Sequence, residues 1–551
     1  MVETARRRFL VSTAAGGAAA GLALGGADAT GAFGAGTADT AGVTAPRRAP
    51  DEVAVTPRDP RYSYLNTRGQ NRRTIGSPDT IFQVFTADQV RRAVDQAVRA
   101  EQRIAIRSGG HCLDGLVDNA SVRALIDVSR MNAVYYDPAH SAFAVESGAM
   151  LGDVYKQLYT AYGVVVPGGT CPTVGVGGYV QGGGFGALCR QHGLVVDHLY
   201  GVEVVVVDSS GRSRTVLATR DSADPDQGLW WGHTGAGGGN FGVVTRFLFR
   251  SPEAVGNNPA DLLPRPPAAA LVTTVSWPWS GMTEQGFTRL VRNHNAWHAE
   301  NSADGSPYAS LNSGLALSSY AAGKVSLVAQ LDGTLPDAAE LTDAYVAALT
   351  AGTGVPCTIQ STTLPWVSAM FSSLYAGGPS PYNRGKGKGA YLRRALADEQ
   401  IATMYRYLSD PTYNGMGLVE LYSYGGKVNT VPPSATAAAQ RDSILKAYLG
   451  SNWAAPAEDD RHLAWTRAFY SELFAATGGV PLPGGATDGS YINYPDVDLA
   501  DPAWNTSGVP WHTLYFKDNY PRLQQVKAQY DPGNVFRHPL SIQAPLSAPR
   551  G

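Results

Sequence analysis

The sequence predicts an α+β fold in two parts, of which the second is an antiparallel sheet covered by helices. Three observations indicate this. The 551 residues are too many for one compact core, so two domains are expected. Strand and helix patterns follow one another without strict βαβ alternation, which favours antiparallel pairing. A proline-rich stretch at residues 264–267 separates a glycine-rich first part from a helix-rich second part.

Hydrophobic periodicity gives the main elements in chain order. Thr86 and Gln89 form a capping box ahead of apolar residues at helical spacing. In the first part we expect a helix at 151–162 and strands at 103–107, 124–128, 142–146 and 202–208. In the second part we expect a strand at 325–331 and helices at 336–349, 398–408, 459–476 and 519–530.

The N-terminus has the pattern of an export signal. Three arginines at residues 6–8 precede Phe9-Leu10, a weakly apolar stretch to about Leu24, and Ala27-Asp28-Ala29, which is typical of a cleavage site. The twin arginine resembles the signal read by the export machinery for folded proteins. Residues 1–29 are therefore predicted to be a twin-arginine signal peptide, residues 30–60 a linker, and the protein secreted. The alternative is a disordered tail.

Composition argues against several other classes of protein. The formal net charge of -2 argues against nucleic-acid binding. No apolar run reaches the eighteen or so residues that a membrane span needs, so we expect no stable membrane anchor. Four cysteines do not make a disulfide framework, although pairing among Cys112, Cys189 and Cys357 stays open. The histidines lack metal-ligand spacing, and we predict no metal site.

Two glycine-rich stretches in the first part carry the candidate chemistry. One is Arg107-Ser108-Gly109-Gly110-His111-Cys112, and the other runs from Pro167 through Cys171 to Gly186. Glycine at this density lets backbone N–H groups approach and cradle an anion. Each stretch also places a nucleophile, His111 or Cys171, at the edge of a loop. The alternative is two tight turns with an incidental histidine and a buried cysteine.

Together these stretches resemble the double flavin-attachment signature of the berberine bridge enzyme-like FAD-linked oxidases, within the vanillyl-alcohol oxidase/PCMH flavoprotein superfamily. The resemblance runs from about Ser77 to about Ile542. It implies a two-part PCMH-type FAD-binding domain at residues 75–252, a substrate-binding domain at 253–490 and a C-terminal segment at 491–545 that returns to the FAD domain. It also implies that His111 bonds the flavin 8α-methyl and Cys171 bonds flavin C6, which makes the FAD bicovalently attached.

The resemblance extends to other residues around the cofactor. It implies that Val174 gates oxygen access to the flavin. The remaining residues that it assigns to FAD binding are Arg107, Ser108, Gly109, Gly110, Gly168, Gly169, Thr170, Thr173, Gly175, Gly178, Gly182, Gly183, Gly184, Phe185, Gly186, Gly239, Asn240, Gly242, Val243, Val244 and Asn534. The sequence departs from the family pattern at residues 537–540. Here Arg-His-Pro-Leu precedes Ser541-Ile542, whereas many relatives have glutamine before the Ser-Ile pair.

Two tyrosines are the candidate catalytic residues. The resemblance makes Tyr494, in Asn-Tyr-Pro-Asp, the general base and Tyr422 its companion. Residues 420–424 alternate like a strand, which would place Glu420, Tyr422 and Tyr424 on one face. Residues 491–496, if extended, would place Tyr491 and Tyr494 on opposite faces. An ordinary tyrosine has a pKa near 10. Tyr494 must therefore be tuned down, or must lose its proton in concert with hydride transfer.

The resemblance implies a secreted FAD-dependent oxidase of natural product biosynthesis. It would transfer a hydride from an alcohol or hemiacetal carbon of a sugar, or of a glycosylated or polycyclic natural product, and pass electrons to O2, giving H2O2. One alternative keeps the fold and changes the chemistry to dehydrogenation or oxidative cyclisation of a non-sugar substrate. Another is a flavin- or glycan-binding protein without turnover.

Overall fold

A computed structural model of the chain describes residues 50–221, 223–372 and 384–545. The predicted signal peptide at 1–29 and residues 30–49 of the predicted linker lie outside these ranges. Within them, no helix is both long enough and apolar enough to cross a membrane. All four cysteines are described, and all four are free thiols.

The described residues form strands and α-helices that alternate irregularly along the chain. The strands are β1 (Val53–Val55), β2 (Thr80–Gln83), β3 (Ile104–Arg107), β4 (Ala124–Asp127), β5 (Val134–Asp137), β6 (Ala142–Glu146), β7 (Leu199–Val207), β8 (Ser213–Thr219), β9 (Val243–Phe249), β10 (Ala269–Pro278), β11 (Asn312–Ser318), β12 (Lys324–Asp332), β13 (Thr358–Pro365), β14 (Arg384–Leu392), β15 (Met416–Ser423) and β16 (Leu445–Trp453). The α-helices are α1 (Tyr62–Asn66), α2 (Ala87–Arg99), α3 (Leu151–Tyr162), α4 (Val176–Gln181), α5 (Cys189–His192), α6 (Gln227–Gly232), α7 (Glu284–Asn301), α8 (Ala338–Thr350), α9 (Trp366–Met370), α10 (Asp398–Leu408), α11 (Asp459–Leu473), α12 (Trp511–Phe516) and α13 (Tyr520–Tyr530).

The first part contains two sheets, which agrees with the predicted two-part FAD-binding fold. One sheet has the order β1-β2-β4-β3, with β2 and β3 parallel to β4. The other has the order β5-β6-β9-β7-β8 and is antiparallel. Helix α2 contacts strands of both sheets. Its apolar face is buried at Val90, Ala93, Val94 and Ala97, so it joins the two sheets through one core.

The N-terminus of α2 is capped nearly as the sequence predicts. Thr86 Oγ1 accepts a hydrogen bond from the Gln89 backbone N–H at 3.2 Å. The reciprocal bond is shifted by one residue, because Gln89 Oε1 accepts from the N–H of Phe85 at 2.6 Å. Both bonds satisfy N–H groups at the start of the helix that have no intrahelical partner.

The second part is a seven-stranded antiparallel sheet with the order β13-β10-β12-β11-β15-β16-β14. Helices α8, α7, α10 and α11 contact one another in that order and pack on the sheet as a layer. This confirms the predicted α+β class with an antiparallel sheet covered by helices. Strand β13 is an exposed edge, whereas β14, at the other edge, is almost wholly buried.

Several helices and strands begin or end at residues other than the predicted ones. The strand expected at 202–208 begins earlier, at Leu199, because pairing with β9 continues through two register shifts. The helix expected at 459–476 ends at Leu473 and gives way to a short 3₁₀ turn. The helix expected at 336–349 runs from Ala338 to Thr350, and the one expected at 519–530 begins at Tyr520.

Candidate active site

A cavity of about 630 Å³ lies between the glycine-rich stretches and the sheet of the second part. One wall comes from residues 104–113 and 169–187, and a second from the turn at 236–244. A further part of the lining comes from the sheet and from residues 491–495. The sequence separates these segments by hundreds of residues, and the fold brings all of them to one space.

The two glycine-rich stretches cross each other at this cavity. A Cβ atom on Gly109 would lie 2.3 Å from the backbone nitrogen of Gly175, and a Cβ on Gly175 would lie 2.2 Å from that of Gly109. No other residue type can pass at that distance without moving a backbone. The crossing explains why both stretches need glycine, and it brings their nucleophiles to the same wall.

His111 and Cys171 contact the same hydroxyl group. His111 Nε2 lies 3.1 Å from Thr173 Oγ1, and Cys171 Sγ lies 3.5 Å from that oxygen. Burial lowers the pKa of the His111 imidazole to about 4, opposed only by its contact with Thr173. The ring is therefore neutral at physiological pH and keeps a lone pair, which is the form that can attack an electrophilic carbon.

Most of the residues predicted to bind FAD line the cavity. Those on its wall are Arg107, Ser108, Gly109, Gly110, His111, Gly169, Thr170, Cys171, Gly175, Gly178, Phe185, Gly186, Gly239, Gly242 and Val244. Val174, the predicted oxygen gate, also lines it and is half-buried. The Arg107 guanidinium is engaged within the protein, because it pairs with Asp118 and Asp127.

The other predicted FAD-binding residues lie behind the wall. Gly168, Gly182, Gly183 and Gly184 pack against neighbouring chain segments, and a Cβ on Gly182 would lie 2.1 Å from the side chain of Asn493. Thr173 touches both nucleophiles without lining the cavity. Val243 is a core residue, and Asn240 bonds its own turn and accepts from the N–H of Ile542.

The C-terminal segment places two residues at the cavity other than the expected Asn534. Asn534 has a left-handed backbone, with φ of 50°, at the turn after α13, and it does not line the cavity. The wall there is formed by Arg537 and His538. His538 Nε2 lies 3.2 Å from the carbonyl oxygen of Gly238, and burial lowers the pKa of this histidine to about 4.

The chain around Tyr494 is not extended, so the condition that would place Tyr491 and Tyr494 on opposite faces is not met. The Tyr494 backbone N–H donates to the carbonyl oxygen of Tyr491 at 2.8 Å, which closes a tight turn. The turn brings the two rings together, with centroids 5.2 Å apart, instead of sending them to opposite faces. Both tyrosines line the cavity, and so does Tyr422 from β15. The two predicted catalytic tyrosines therefore face the same space.

A buried lysine stands among these rings. Lys446 on β16 lies opposite Tyr422 in the register, and its Nζ lies 3.2 Å from the hydroxyl oxygen of Tyr494. The same nitrogen lies 4.1 Å from the centroid of Phe185 and 4.3 Å from that of Tyr491. Burial lowers the pKa of Lys446 to about 7, although the Glu420 carboxylate acts in the other direction. A neutral amine is thus accessible at physiological pH.

The tyrosines themselves are held protonated. Burial, with the charge of Glu420 next in size, raises the pKa of Tyr494 well above 10. Burial and Glu420 likewise raise the pKa of Tyr422, whose hydroxyl donates to Glu420 Oε2 at 2.5 Å. The protein groups around Tyr494 therefore raise its pKa and do not lower it.

Sequence reasoning missed Lys446 and did not assign Glu420 a role. A single lysine within an otherwise apolar strand, Ile444-Leu445-Lys446-Ala447-Tyr448, was an available signal, because buried lysines usually have a partner or a function. The alternation of residues 420–424 correctly placed Glu420 and Tyr422 on one face. Only the strand register shows that Lys446 lies beside them.

Comparison with known proteins identifies the family. Residues 78–215 match the family described as FAD binding domain, and residues 490–543 match the one described as berberine and berberine like. The aclacinomycin-N/aclacinomycin-A oxidase of Streptomyces galilaeus is 54% identical over 545 residues, which is 98% of this chain and 99% of that protein. The chain belongs to the berberine bridge enzyme-like FAD-linked oxidases. It is an FAD-dependent oxidoreductase.

Two solved structures share the fold of this berberine bridge enzyme-like protein. Aclacinomycin oxidoreductase is 55% identical with a TM-score of 0.87, over 90% of this chain and all 100% of that one. The glycopeptide hexose oxidase crystallised with teicoplanin is 48% identical with a TM-score of 0.86, over 90% and 99% of the two chains.

The cavity suits FAD by its shape and by its lining. Its volume of about 630 Å³ is in the range of cofactor pockets. Gly178 lines it with open space wherever a Cβ would stand, so backbone replaces side chain along this wall. The turn at Gly237 and Gly239 has left-handed φ values of 81° and 78° and likewise exposes backbone to the cavity. Such bare backbone is suited to an anionic pyrophosphate.

Proposed function

We propose that this protein is an oxidase with bicovalent FAD that removes a hydride from an alcohol or hemiacetal carbon and uses O2 as acceptor, giving H2O2. The observation that carries the proposal is the contact between half-buried Tyr494 and buried Lys446 at the cavity wall, 3.2 Å from hydroxyl oxygen to amine nitrogen. It supplies a proton acceptor where the flavin ring and the substrate would meet. The predicted attachment residues line the same cavity.

His111 and Cys171 would hold the cofactor at two points, at the flavin 8α-methyl and at C6. Their shared contact with Thr173 holds both nucleophiles close together, and it would orient them toward one ligand. Bound FAD would supply the hydride acceptor and would return the electrons to O2. Two attachments let one face of the ring stay open to a bulky substrate without loss of the cofactor.

Tyr494 would take the hydroxyl proton of the substrate in two linked transfers. As the hydride leaves the carbon, the substrate hydroxyl becomes a strong acid and donates to the Tyr494 oxygen. The phenol proton passes in turn to the neutral amine of Lys446, whose pKa is about 7. The relay avoids a free tyrosinate, which the buried site disfavours. Tyr422, bonded to Glu420, would orient the same hydroxyl group.

The substrate wall supports a hydroxyl-rich ligand. Beside the tyrosines it presents Asn312, the backbone at Gly314 and the carboxylate of Glu420, all of which line the cavity. Polar groups of this kind recognise sugar hydroxyls by hydrogen bonds. Two similar proteins are named an aclacinomycin-N/aclacinomycin-A oxidase and a glycopeptide hexose oxidase. We therefore infer a sugar, or a glycosylated or polycyclic natural product, as substrate.

The same proposal includes oxygen access and export. Val174 lines the cavity three residues after Cys171, where a small side chain leaves O2 a path to the flavin. The twin-arginine pattern at residues 6–8 supports export of the folded, flavin-loaded protein. Replacing the arginines of this pattern with lysine should keep the protein inside the cell, which immunoblotting of the culture medium would show.

The test is a single anaerobic and aerobic experiment on the holoenzyme. Sugars, oligosaccharides and glycosylated polyketides are mixed with the protein without oxygen, and flavin absorbance is followed. A substrate should bleach the flavin, and admitted air should restore it with one H2O2 per turnover. Bleaching followed by very slow reoxidation would instead indicate a dehydrogenase. Flavin that stays oxidised with every compound would point to a binding protein without turnover.

The attachment is tested separately. Acid-precipitated protein should remain yellow, and peptide mass spectrometry should find one flavin joined to the peptides of both His111 and Cys171. Free FAD in the supernatant of wild-type protein would contradict bicovalent binding.

A further inference from the structure

A buried ionic cluster behind Tyr494 is not used by the proposed chemistry. Lys386 Nζ lies 2.7 Å from Asp114 Oδ2 and 2.7 Å from Asp496 Oδ1. Lys388 Nζ lies 2.7 Å from the other oxygen of Asp496 and 2.8 Å from Asp498 Oδ2. Both lysine side chains are at most 2% exposed. Charges at this depth persist only where each has partners of opposite sign.

The carboxylates of this cluster belong to the two loops that carry the chemistry. Asp114 follows His111 by three residues, and Asp496 follows Tyr494 by two. Asp114 Oδ2 also accepts the backbone N–H of Val497 at 2.8 Å, so the loops touch directly. Although burial opposes ionisation, the charge of Lys386 lowers the pKa of Asp114. Lys386 is thus a cation held between the two loops.

The sequence of the strand that carries the lysines allows both of its faces to contact the Tyr494 loop. Residues 384–389 read Arg-Gly-Lys-Gly-Lys-Gly, so the lysines of β14 share one face and the glycines the other. A Cβ on Gly387 would lie 2.6 Å from the ring of Tyr448, and a Cβ on Gly389 would lie 3.2 Å from the ring of Tyr494. One face therefore leaves room for the Tyr494 ring, while the other binds its loop.

The geometry points to Lys386 as a positioning residue, which through Asp114 and Asp496 fixes the loop bearing His111 relative to the loop bearing Tyr494. This inference rests on the proposed roles of those two residues. The flavin would be attached to one loop and the proton acceptor belongs to the other, so their separation decides whether hydride and proton can leave together. Lys388 contacts Asp496 and Asp498 but not Asp114. It secures only the Tyr494 loop.

Three variants separate these connections. In Lys386→Met both loops lose their shared cation, whereas Lys388→Met is the matched control on the same face of the same strand. Asp114→Asn keeps the shape and an acceptor oxygen and removes the charge through which the His111 loop pairs with Lys386 and with Arg73. Because Lys386→Met removes a buried cation from among Asp114, Asp496 and Asp498 and can fail to fold, the other two variants decide the outcome in that case.

Hydrogen–deuterium exchange measures how readily the backbone of each loop opens, and it does not require turnover. Lys386→Met should speed exchange at residues 111–118 and at 493–498, Asp114→Asn only at 111–118, and Lys388→Met only at 493–498. A purely structural role would instead lower the melting temperature and raise exchange across β14 and its neighbours alike. Unchanged exchange at 111–118 in Asp114→Asn, whether or not Lys386→Met folds, would overturn the inference.

The second readout is the covalent attachment and the anaerobic reduction of the flavin in the same variants. The fraction of flavin joined to His111, measured by peptide mass spectrometry, should fall in Lys386→Met and Asp114→Asn and stay whole in Lys388→Met. Anaerobic flavin reduction at saturating substrate should slow roughly 10²-fold in Lys386→Met, as for a small misplacement of reacting groups, with KM little changed. A folded Lys386→Met with wild-type attachment and reduction would contradict the positioning role. Wild-type protein without covalent flavin would refute the proposed function instead, and exchange would still test the coupling of the loops.

Discussion

Replacement of Lys446 by methionine tests the proton relay most sharply. The pKa of Lys446 is lowered to about 7, whereas that of Tyr494 is raised well above 10. A gap of at least about three pKa units corresponds to ~4 kcal/mol. At pH 7 about half of the lysine is neutral and can accept a proton, but less than roughly one tyrosine in 10³ is ionised. Without the amine, flavin reduction at pH 7 should therefore fall about 10³-fold, within the usual range for a lost acid–base group.

The assay is anaerobic stopped-flow reduction of the flavin on both sides of pH 7. The wild-type rate should rise with pH and level off above about 7, once the amine is neutral. The variant should lack this inflection, and its deficit should shrink as the pH approaches the tyrosine pKa. Methionine fills the space among the aromatic rings without a charge, so the fold should survive. Lys427→Met, at an exposed lysine, is the matched control. Wild-type reduction at pH 7 in Lys446→Met would refute the relay.

Four further outcomes follow from the same site. Tyr494→Phe should slow anaerobic reduction by about 10²–10⁴-fold and leave reoxidation unchanged; equal rates of reduction in the two proteins would move the base elsewhere. His111→Ala should keep its flavin through Cys171 after acid precipitation, and only the double variant with Cys171→Ala should release it. Val174→Leu should slow reoxidation by air, with reduction as the internal control. Gly387→Ala should lower stability by ~1–3 kcal/mol in denaturant melts, because its methyl would overlap the ring of Tyr448.

Much of the fold could be predicted because its signals are local. The strand Ala142–Glu146 and the helices Leu151–Tyr162 and Asp398–Leu408 have the bounds that periodicity indicates. Strand β14 escaped prediction, since glycine and lysine are both uncommon in strands. Its lysines are stabilised by Asp114 and Asp496, which lie more than a hundred residues away in either direction. No local pattern can show such partners.

In the candidate site, too, some residues could be predicted from local motifs and others could not. The glycine-rich stretches around His111 and Cys171 are readable as motifs because a backbone crossing requires glycine at fixed positions. The turn at Tyr491–Tyr494 and the contact with Lys446 depend on how distant strands pair, and the sequence carries no record of that register. The resemblance therefore located the two tyrosines, and the structure added the amine beside them.

Anaerobic mixing of wild-type holoenzyme with a glycosylated polyketide tests the central claim most directly. The account predicts that the protein-bound flavin bleaches in a phase that quickens with pH up to about 7, and that air then restores it with release of H2O2. Flavin that stays oxidised with this compound and with free sugars and oligosaccharides would contradict the account.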